Sequence, residues 1–243
     1  MVQQRNLVRL IVYAALIVAA VPSVAAAQAQ RCARPDDALR PVPDLPSTDQ
    51  PRRVVPIGGY TLAITWSPQF CREKAVSAAA QVQCAGGAKF GFSLHGLWPD
   101  GTGNVWPQYC KSTHLLSPAA VAGMLCATPS VQLVQHEWAK HGTCTGMTSA
   151  AYFAKSRGLY AALRYPAMNQ LWRRPLTVGQ FRAAFAAANA ALPASSIRVT
   201  ARGGWLEEVW ICLDTRFSYT PCRIKSGGAA SNVHLRIWRG GTR

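Results

Sequence analysis

Apolar residues in this chain fall into short runs, and the runs switch between a spacing of two and a spacing of three to four, the periods of strand and helix. Gly58-Gly59 opens an apolar run from Tyr60 to Trp66 that Pro68 closes, and this predicts a central strand. Phe90 to His95 alternates like a second strand and passes into a turn, Gly96-Leu97-Trp98-Pro99-Asp100. Between the two, residues 72 to 88 read as a loop with a helical turn around Ala75–Gln81, framed by Cys71 and Cys84.

Short helices are predicted over Pro118–Leu125 and Val131–His141, the second stopped by Gly142. Thr148 or Ser149 caps another that runs to about Leu163, and Thr177 caps one through Ala191 with Val178, Phe181 and Phe185 as its apolar stripe. Three strands close the chain: Ile197–Ala201, Trp205–Leu213 and Val233–Trp238. This order predicts an α+β domain, a central and mainly antiparallel sheet flanked by helices. A chain of 243 residues suits one such domain with a sizeable core.

The N-terminus departs from the pattern. Arg5 and Arg9 precede an apolar run from Leu10 to Val21, followed by Pro22 and the small residues Ala25-Ala26-Ala27-Gln28-Ala29. That is the order of a secretory signal peptide over residues 1–29, cleaved after Ala27 or Ala29. The apolar run is short for a membrane span, so no anchor is expected after cleavage. Residues 30–56 carry Pro35, Pro41, Pro43, Pro46, Pro51 and Pro56 with little periodicity, and predict an extended arm.

Export changes how the cysteines read. Eight remain after cleavage, an even number in an oxidising compartment, which predicts a disulfide-stapled domain with four bridges. They avoid the paired Cys-x-x-Cys spacing of structural zinc sites, and spacing alone leaves their pairing open. Charge adds a partner class. Without Arg5 and Arg9 the chain keeps 24 basic residues against 10 acidic ones, about +14. A polyanion such as a nucleic acid backbone is the natural partner, although an anionic envelope surface would be attracted as well.

Chemistry concentrates in His136-Glu137-Trp138-Ala139-Lys140-His141-Gly142-Thr143-Cys144. On a regular helix Glu137, Lys140 and His141 stand at i, i+3 and i+4 and share a face, with His136 on its flank. By itself such a stretch is most simply a solvated, salt-bridged surface. A zincin would need two histidines four apart; here they are five apart, roughly 140° round a regular helix, which makes chelation awkward. No metal or cofactor is expected. The second candidate place is His95, read as lying at a strand end before a glycine turn.

Two stretches together point further. Phe92-Ser93-Leu94-His95-Gly96-Leu97-Trp98-Pro99 and Leu133-Val134-Gln135-His136-Glu137-Trp138-Ala139-Lys140-His141-Gly142-Thr143-Cys144 resemble the two active-site signatures of the ribonuclease T2 family. The resemblance covers roughly residues 57 to 243 and excludes the arm. It implies an exported, metal-independent endoribonuclease, periplasmic or extracellular, that cleaves single-stranded RNA with broad base preference and acts as a monomer.

Such an enzyme uses the 2′-hydroxyl of RNA as nucleophile, forms a 2′,3′-cyclic phosphate and hydrolyses it to a 3′-phosphate. By resemblance His141 is the general base, His95 the general acid, Lys140 the stabiliser of the charged phosphorane and Glu137 the residue that tunes the group. His136 holds phosphate or assists His95, while Trp98 and Asp100 bind the base. Core packing for Trp98 and a plain turn for Asp100 are the competing readings. Trp66, Phe70, Trp106 and Tyr109 are further aromatic candidates for a second base site, with Trp66 better read as core.

The resemblance also implies the pair Cys110–Cys144, and it gives precedent for the local pairs Cys71–Cys84 and Cys212–Cys222; Cys32 and Cys126 are then left for the fourth. Two other readings stay open. One is a catalytically inactive RNA-binding or cell-surface-acting protein of the same fold. The other is a zinc-dependent hydrolase built on His136, His141 and His114 or His234.

Overall fold

A computed structural model describes residues 29–32, 40–74, 80–85, 89–223 and 227–240. The expected signal peptide lies outside them except for Ala29, and so do residues 75–79 of the expected helical turn. Strands β1 (Ile57–Trp66), β2 (Phe92–Gly101), β3 (Ile197–Arg202) and β4 (Trp205–Leu213) form one antiparallel sheet in the order β2-β1-β4-β3. The apolar run therefore lies inside the sheet, as its composition predicted. Its alternate residues Tyr60, Leu62, Ile64 and Trp66 enter the hydrophobic core. Thr61 and Thr65, on the other face, turn toward clefts.

Helices cover the core face. Thr148 caps Ser149–Ala162 and Thr177 caps Val178–Ala187 in a full capping box with Gln180. Val178, Phe181 and Phe185 are fully buried, as their spacing required. Phe92 stacks on Tyr165 and meets Phe185 edge-on, which joins sheet to helices. Two tyrosines lock the long helix to β2: Tyr152 donates to the Leu97 carbonyl at 2.9 Å and Tyr160 to that of Phe92 at 2.7 Å.

Several elements differ from expectation. Gly96 to Asp100 is not a turn; β2 continues through it to Gly101, paired with β1 along its length. The loop expected from residue 72 overlaps a helix, Ser67–Lys74, which starts where Pro68 ends the strand. Proline lacks an N–H that the first helical turn would leave unpaired, so one residue serves both ends. The helix from Pro118 stops at Ala122 and that from Val178 at Ala187, each shorter than its apolar run. Of Val233–Trp238, only His234–Leu235 pairs as strand, with Leu176–Thr177.

The disulfides are Cys71–Cys84, Cys110–Cys144 and Cys212–Cys222, the pairs the resemblance implies, and Cys32–Cys126, which joins the two cysteines left over. Among the described residues no helix is long and apolar enough to cross a membrane. Residues 40–56 of the proline-rich arm form no helix or strand beyond one bridge at Arg53, and they are docked. Arg53 and Gln108 exchange backbone hydrogen bonds of 2.9 Å, and the Val42 N–H donates to Gln132 Oε1 at 2.9 Å.

Candidate active site

The segment beside the outer edge of β2 carries most of the chemistry. Ser130 accepts from the Leu133 N–H and starts an α-helix, Val131–His136. The expected α-helix does not continue. Glu137–His141 is a π turn, in which the Gly142 N–H reaches back to the Glu137 carbonyl, and Gly142–Cys144 tightens to a 3-10 turn. A π turn holds an extra residue, so positions five apart come into line.

This corrects the angular argument made from a regular helix. The rings of His136 and His141 lie 6.2 Å apart between centroids instead of diverging. Tertiary contacts hold the widened turn: the Tyr109 N–H donates to the Lys140 carbonyl at 2.8 Å, and Cys144 is tied to Cys110. Gly142 allows the Trp138 ring to lie against its backbone, where a Cβ would collide.

His95 arrives by a second irregularity. Ala63 pairs with Gly96 and Ile64 with Leu94, so His95 is the extra residue of a β-bulge within β2, not the end of a strand. Residues three apart face opposite sides of a regular strand. The bulge brings His95 and Trp98 together, their rings edge-to-face at 5.0 Å. Across the sheet, Glu208 Oε1 meets His95 Nδ1 at 2.6 Å. Glu208 is itself held by the hydroxyl of Thr65 at 2.9 Å and the indole N–H of Trp210 at 2.8 Å. Glu137 Oε1 lies 3.6 Å from His95 Nε2.

These neighbours polarise the two histidines in opposite senses. Burial would lower the His95 pKa, but the charge and hydrogen bond of Glu208, with Glu137 adding, outweigh it and raise the value to about 9. His141 is 6% exposed, and burial, then the charges of Lys140, His136 and His95, push it well below the ordinary histidine value. Its Nδ1 has no hydrogen-bond partner among the described residues. At neutral pH His95 therefore holds its proton and His141 is neutral.

The carboxyl of Glu137 sits against the bare backbone of Gly96 and accepts from the Trp98 indole at 3.0 Å. Burial pushes it up to about 7, with His95 and the Trp98 hydrogen bond opposing. Burial lowers Lys140, partly offset by Glu137 and Asp44. It also lowers His136, whose Nδ1 is 2.7 Å from Asp44 Oδ2.

A cavity of about 660 Å³ opens beside His141, with Trp98, Asp100, Trp106, Trp210 and Arg223 in its wall. Trp98 is half-buried at the junction of the cavity and the histidine cluster rather than in the core. Asp100 accepts from the Thr61 hydroxyl at 2.8 Å, within a strand and not in a turn, and burial raises its pKa. The further aromatic candidates are dispersed. Trp66 is core, Phe70 lines a separate groove with Thr65 and Gln69, Trp106 stands at the cavity rim, and Tyr109 is buried under the arm.

Ligand atoms of His136, Glu137 and His141 lie within 4.8 Å of one another, close enough to share a cation. His114 and His234, considered as third ligands, are exposed and outside that group. Sequence reasoning missed Glu208, Trp210 and Asp44. For Glu208 a signal existed: an acid two residues from a tryptophan, on a strand whose other polar residue is its neighbour Glu207. For Asp44, inside a proline-rich arm, there was none.

Residues 57–222 match the model of the Ribonuclease T2 family. A protein of Haemophilus influenzae named as a probable ribonuclease is 32% identical over 181 residues, covering 70% of this chain and 62% of that protein. A ribonuclease of Aeromonas hydrophila is 39% identical over 89 residues, 37% of this chain and 38% of that one. This chain thus spans less than two thirds of the length of either relative. Among solved structures, an RNase-related protein from Calystegia sepium superposes with a TM-score of 0.59 at 21% identity, over 74% of this chain and 96% of that one. RNase NT, solved in complex with 5′-AMP, does so at 0.56 and 21%, over 75% and 98%. At those identities the structures establish a common fold.

Proposed function

This chain belongs to the ribonuclease T2 family, and from that premise we propose that it is an exported endoribonuclease that cleaves single-stranded RNA without a metal. The observation that carries the reading is the opposite tuning of His95 and His141. Two titratable groups pushed apart by their surroundings are the mark of an assigned acid and base. Four disulfides support an oxidising compartment, periplasmic or extracellular.

In this mechanism neutral His141 takes the proton of the 2′-hydroxyl as that oxygen attacks the adjacent phosphorus. Protonated His95 gives its proton to the departing 5′-oxygen, and the products are a 2′,3′-cyclic phosphate and a free 5′-hydroxyl. The two histidines have then exchanged protonation states. In the slower second step neutral His95 takes a proton from water, and His141 returns its proton to the 2′-oxygen, leaving a 3′-phosphate. Lys140 places positive charge against the phosphorane, and His136, in its imidazolium form, supplies a donor to a phosphate oxygen.

Glu137 is a carboxyl beside a developing dianion, an arrangement that repels unless the group is protonated or paired. Its elevated pKa and its place between His95 and Trp98 relieve that repulsion. The indoles of Trp98, Trp106 and Trp210 offer faces and edges for an unstacked base, which supports broad rather than strict base preference. DNA, lacking the 2′-hydroxyl, would bind without being cut.

The test is to incubate the mature protein, in chelator, with an RNA oligonucleotide and with the same RNA carrying one 2′-deoxy residue. Fragment ends are read by mass. Cyclic phosphate at every position but the 2′-deoxy one is the expected result. Loss of cleavage in chelator alone would return the His136–Glu137–His141 cluster to a metal. Binding without cleavage would favour the inactive, RNA-binding reading.

A further inference from the structure

The arm that precedes the family-matched segment reaches into the site. We propose that this arm is a working part of the active site, and that Asp44 is a positioning residue holding the His136 ring so that its Nε2 meets the scissile phosphate. The inference rests on the ribonuclease reading, because it concerns the same phosphate.

Both carboxylate oxygens of Asp44 are engaged. Oδ2 meets His136 Nδ1 at 2.7 Å, and Oδ1 accepts from the Tyr109 hydroxyl at 2.7 Å. The Asp44 side chain is only 14% exposed, whereas its neighbours Val42 and Leu45 are 63% and 71% exposed. Pro41 is buried, but burial of apolar surface does not explain the course of the stretch from Val42 to Leu45. Its inward contacts are polar and end on the site segment: Val42 exchanges two hydrogen bonds with Gln132, and Asp44 meets His136.

The presentation is stiff. Pro43 and Pro46 flank the position and fix φ on either side, and aspartate has few rotamers to lose. Tyr109 is built to receive it. Its φ of +49° lies in the left-handed region, unfavourable for a residue with a Cβ. It is kept there by a backbone bond to Lys140 at one end and the Asp44 hydrogen bond at the other.

A histidine has two ring nitrogens, and fixing one fixes the direction of the other. With Nδ1 donating to the Asp44 carboxylate, Nε2 is the nitrogen left to meet a ligand; it donates to phosphate as the imidazolium, the form that the Asp44 charge favours against burial. Asp44 also offsets the positive groups that face His136, namely Lys140 and His95. The family match begins at residue 57, so Asp44 reaches the site from a segment outside the matched residues.

The experiment compares Asp44→Ala and Asp44→Asn in the full mature chain with Leu45→Ser, whose site is exposed, as control. Steady-state cleavage of a short RNA gives kcat and KM, and inhibition by inorganic phosphate gives a second measure of the same contact. Asp44→Ala, which loses both the hydrogen bond and the charge, is expected to raise KM and the phosphate inhibition constant about tenfold, and Asp44→Asn, which keeps an acceptor and loses only the charge, about threefold. Their kcat should stay within about threefold and their melting temperatures near wild type, with Leu45→Ser unchanged throughout. Wild-type constants in both Asp44 variants would overturn the proposal, as would a fall in kcat at unchanged KM. Wild-type protein that cuts no RNA would sink the ribonuclease reading instead, and phosphate binding, followed by calorimetry, would still judge Asp44.

Discussion

Replacing Glu208 by glutamine removes one negative charge from His95 and leaves an oxygen in place to accept from its Nδ1. At the 2.6 Å contact the two charges are centred about 4 Å apart, worth about 4 kcal/mol in an effective dielectric of 20. That corresponds to about 3 pKa units. It is an upper bound, because His95 is 30% exposed and Glu137 remains 3.6 Å from its other nitrogen. A displacement of about 1–3 units is therefore expected. The direction follows from the role: the acid must keep its proton, and without Glu208 it loses it at lower pH. The alkaline limb of kcat/KM, near pH 9 in the wild type from the His95 value, should fall toward neutrality, while activity below about pH 6 stays near wild type. Kinetics of dinucleotide cleavage between about pH 4 and pH 10 measure it, with Thr65→Val as a control that removes only a hydrogen bond to Glu208. An unmoved alkaline limb would refute the reasoning, and so would a uniform loss at every pH, which signals a displaced ring rather than a changed charge.

Gly96→Ala would drive a methyl into the Glu137 carboxyl and the Trp98 indole N–H; a loss of about 1–3 kcal/mol in urea unfolding is expected, with activity falling further than stability accounts for. His141→Ala removes the proposed base and should lower kcat by about 10²–10⁴ without weakening single-stranded RNA binding. Breaking Cys110–Cys144, which spans a sequence separation of 34, by a double alanine substitution should cost about 4 kcal/mol in denaturant unfolding and release the turn that carries His141. Stability should also depend on pH through His95. Its folded pKa of about 9 exceeds the unfolded value of about 6.5, so the contribution is full below pH 6.5 and is lost as pH rises through 9. Glu208→Gln should flatten that decline in melting temperature.

The sheet and the site differ in how far the residues alone disclose them. The run from Tyr60 to Trp66, the capped helices and the Phe181–Phe185 stripe are local patterns tied directly to burial, and they were legible. So were the identities of the catalytic candidates, because two short stretches hold all of them. What stayed hidden depends on contacts distant in sequence. The π turn at Glu137 is held by Tyr109 and a disulfide, and the bulge at His95 by its register against Ala63 and Ile64. A regular helix and a regular strand would each have pointed one histidine away. Glu208 and Asp44 lie 113 and 92 residues from the histidines they hold, and no periodicity announces such a pairing. The short C-terminal pairing at His234–Leu235 failed for a related reason: an apolar alternation was present without a long partner strand.

The central claim is that the protein keeps His95 protonated and His141 neutral before any RNA arrives. Nitrogen-15 NMR of histidine-labelled protein, titrated with pH and assigned through His95→Asn and His141→Asn variants, measures both directly. His95 is expected to release its proton near pH 9 and His141 to stay neutral down to well below pH 6.5. A charged His141 beside a neutral His95 at neutral pH would contradict the assignment of base and acid.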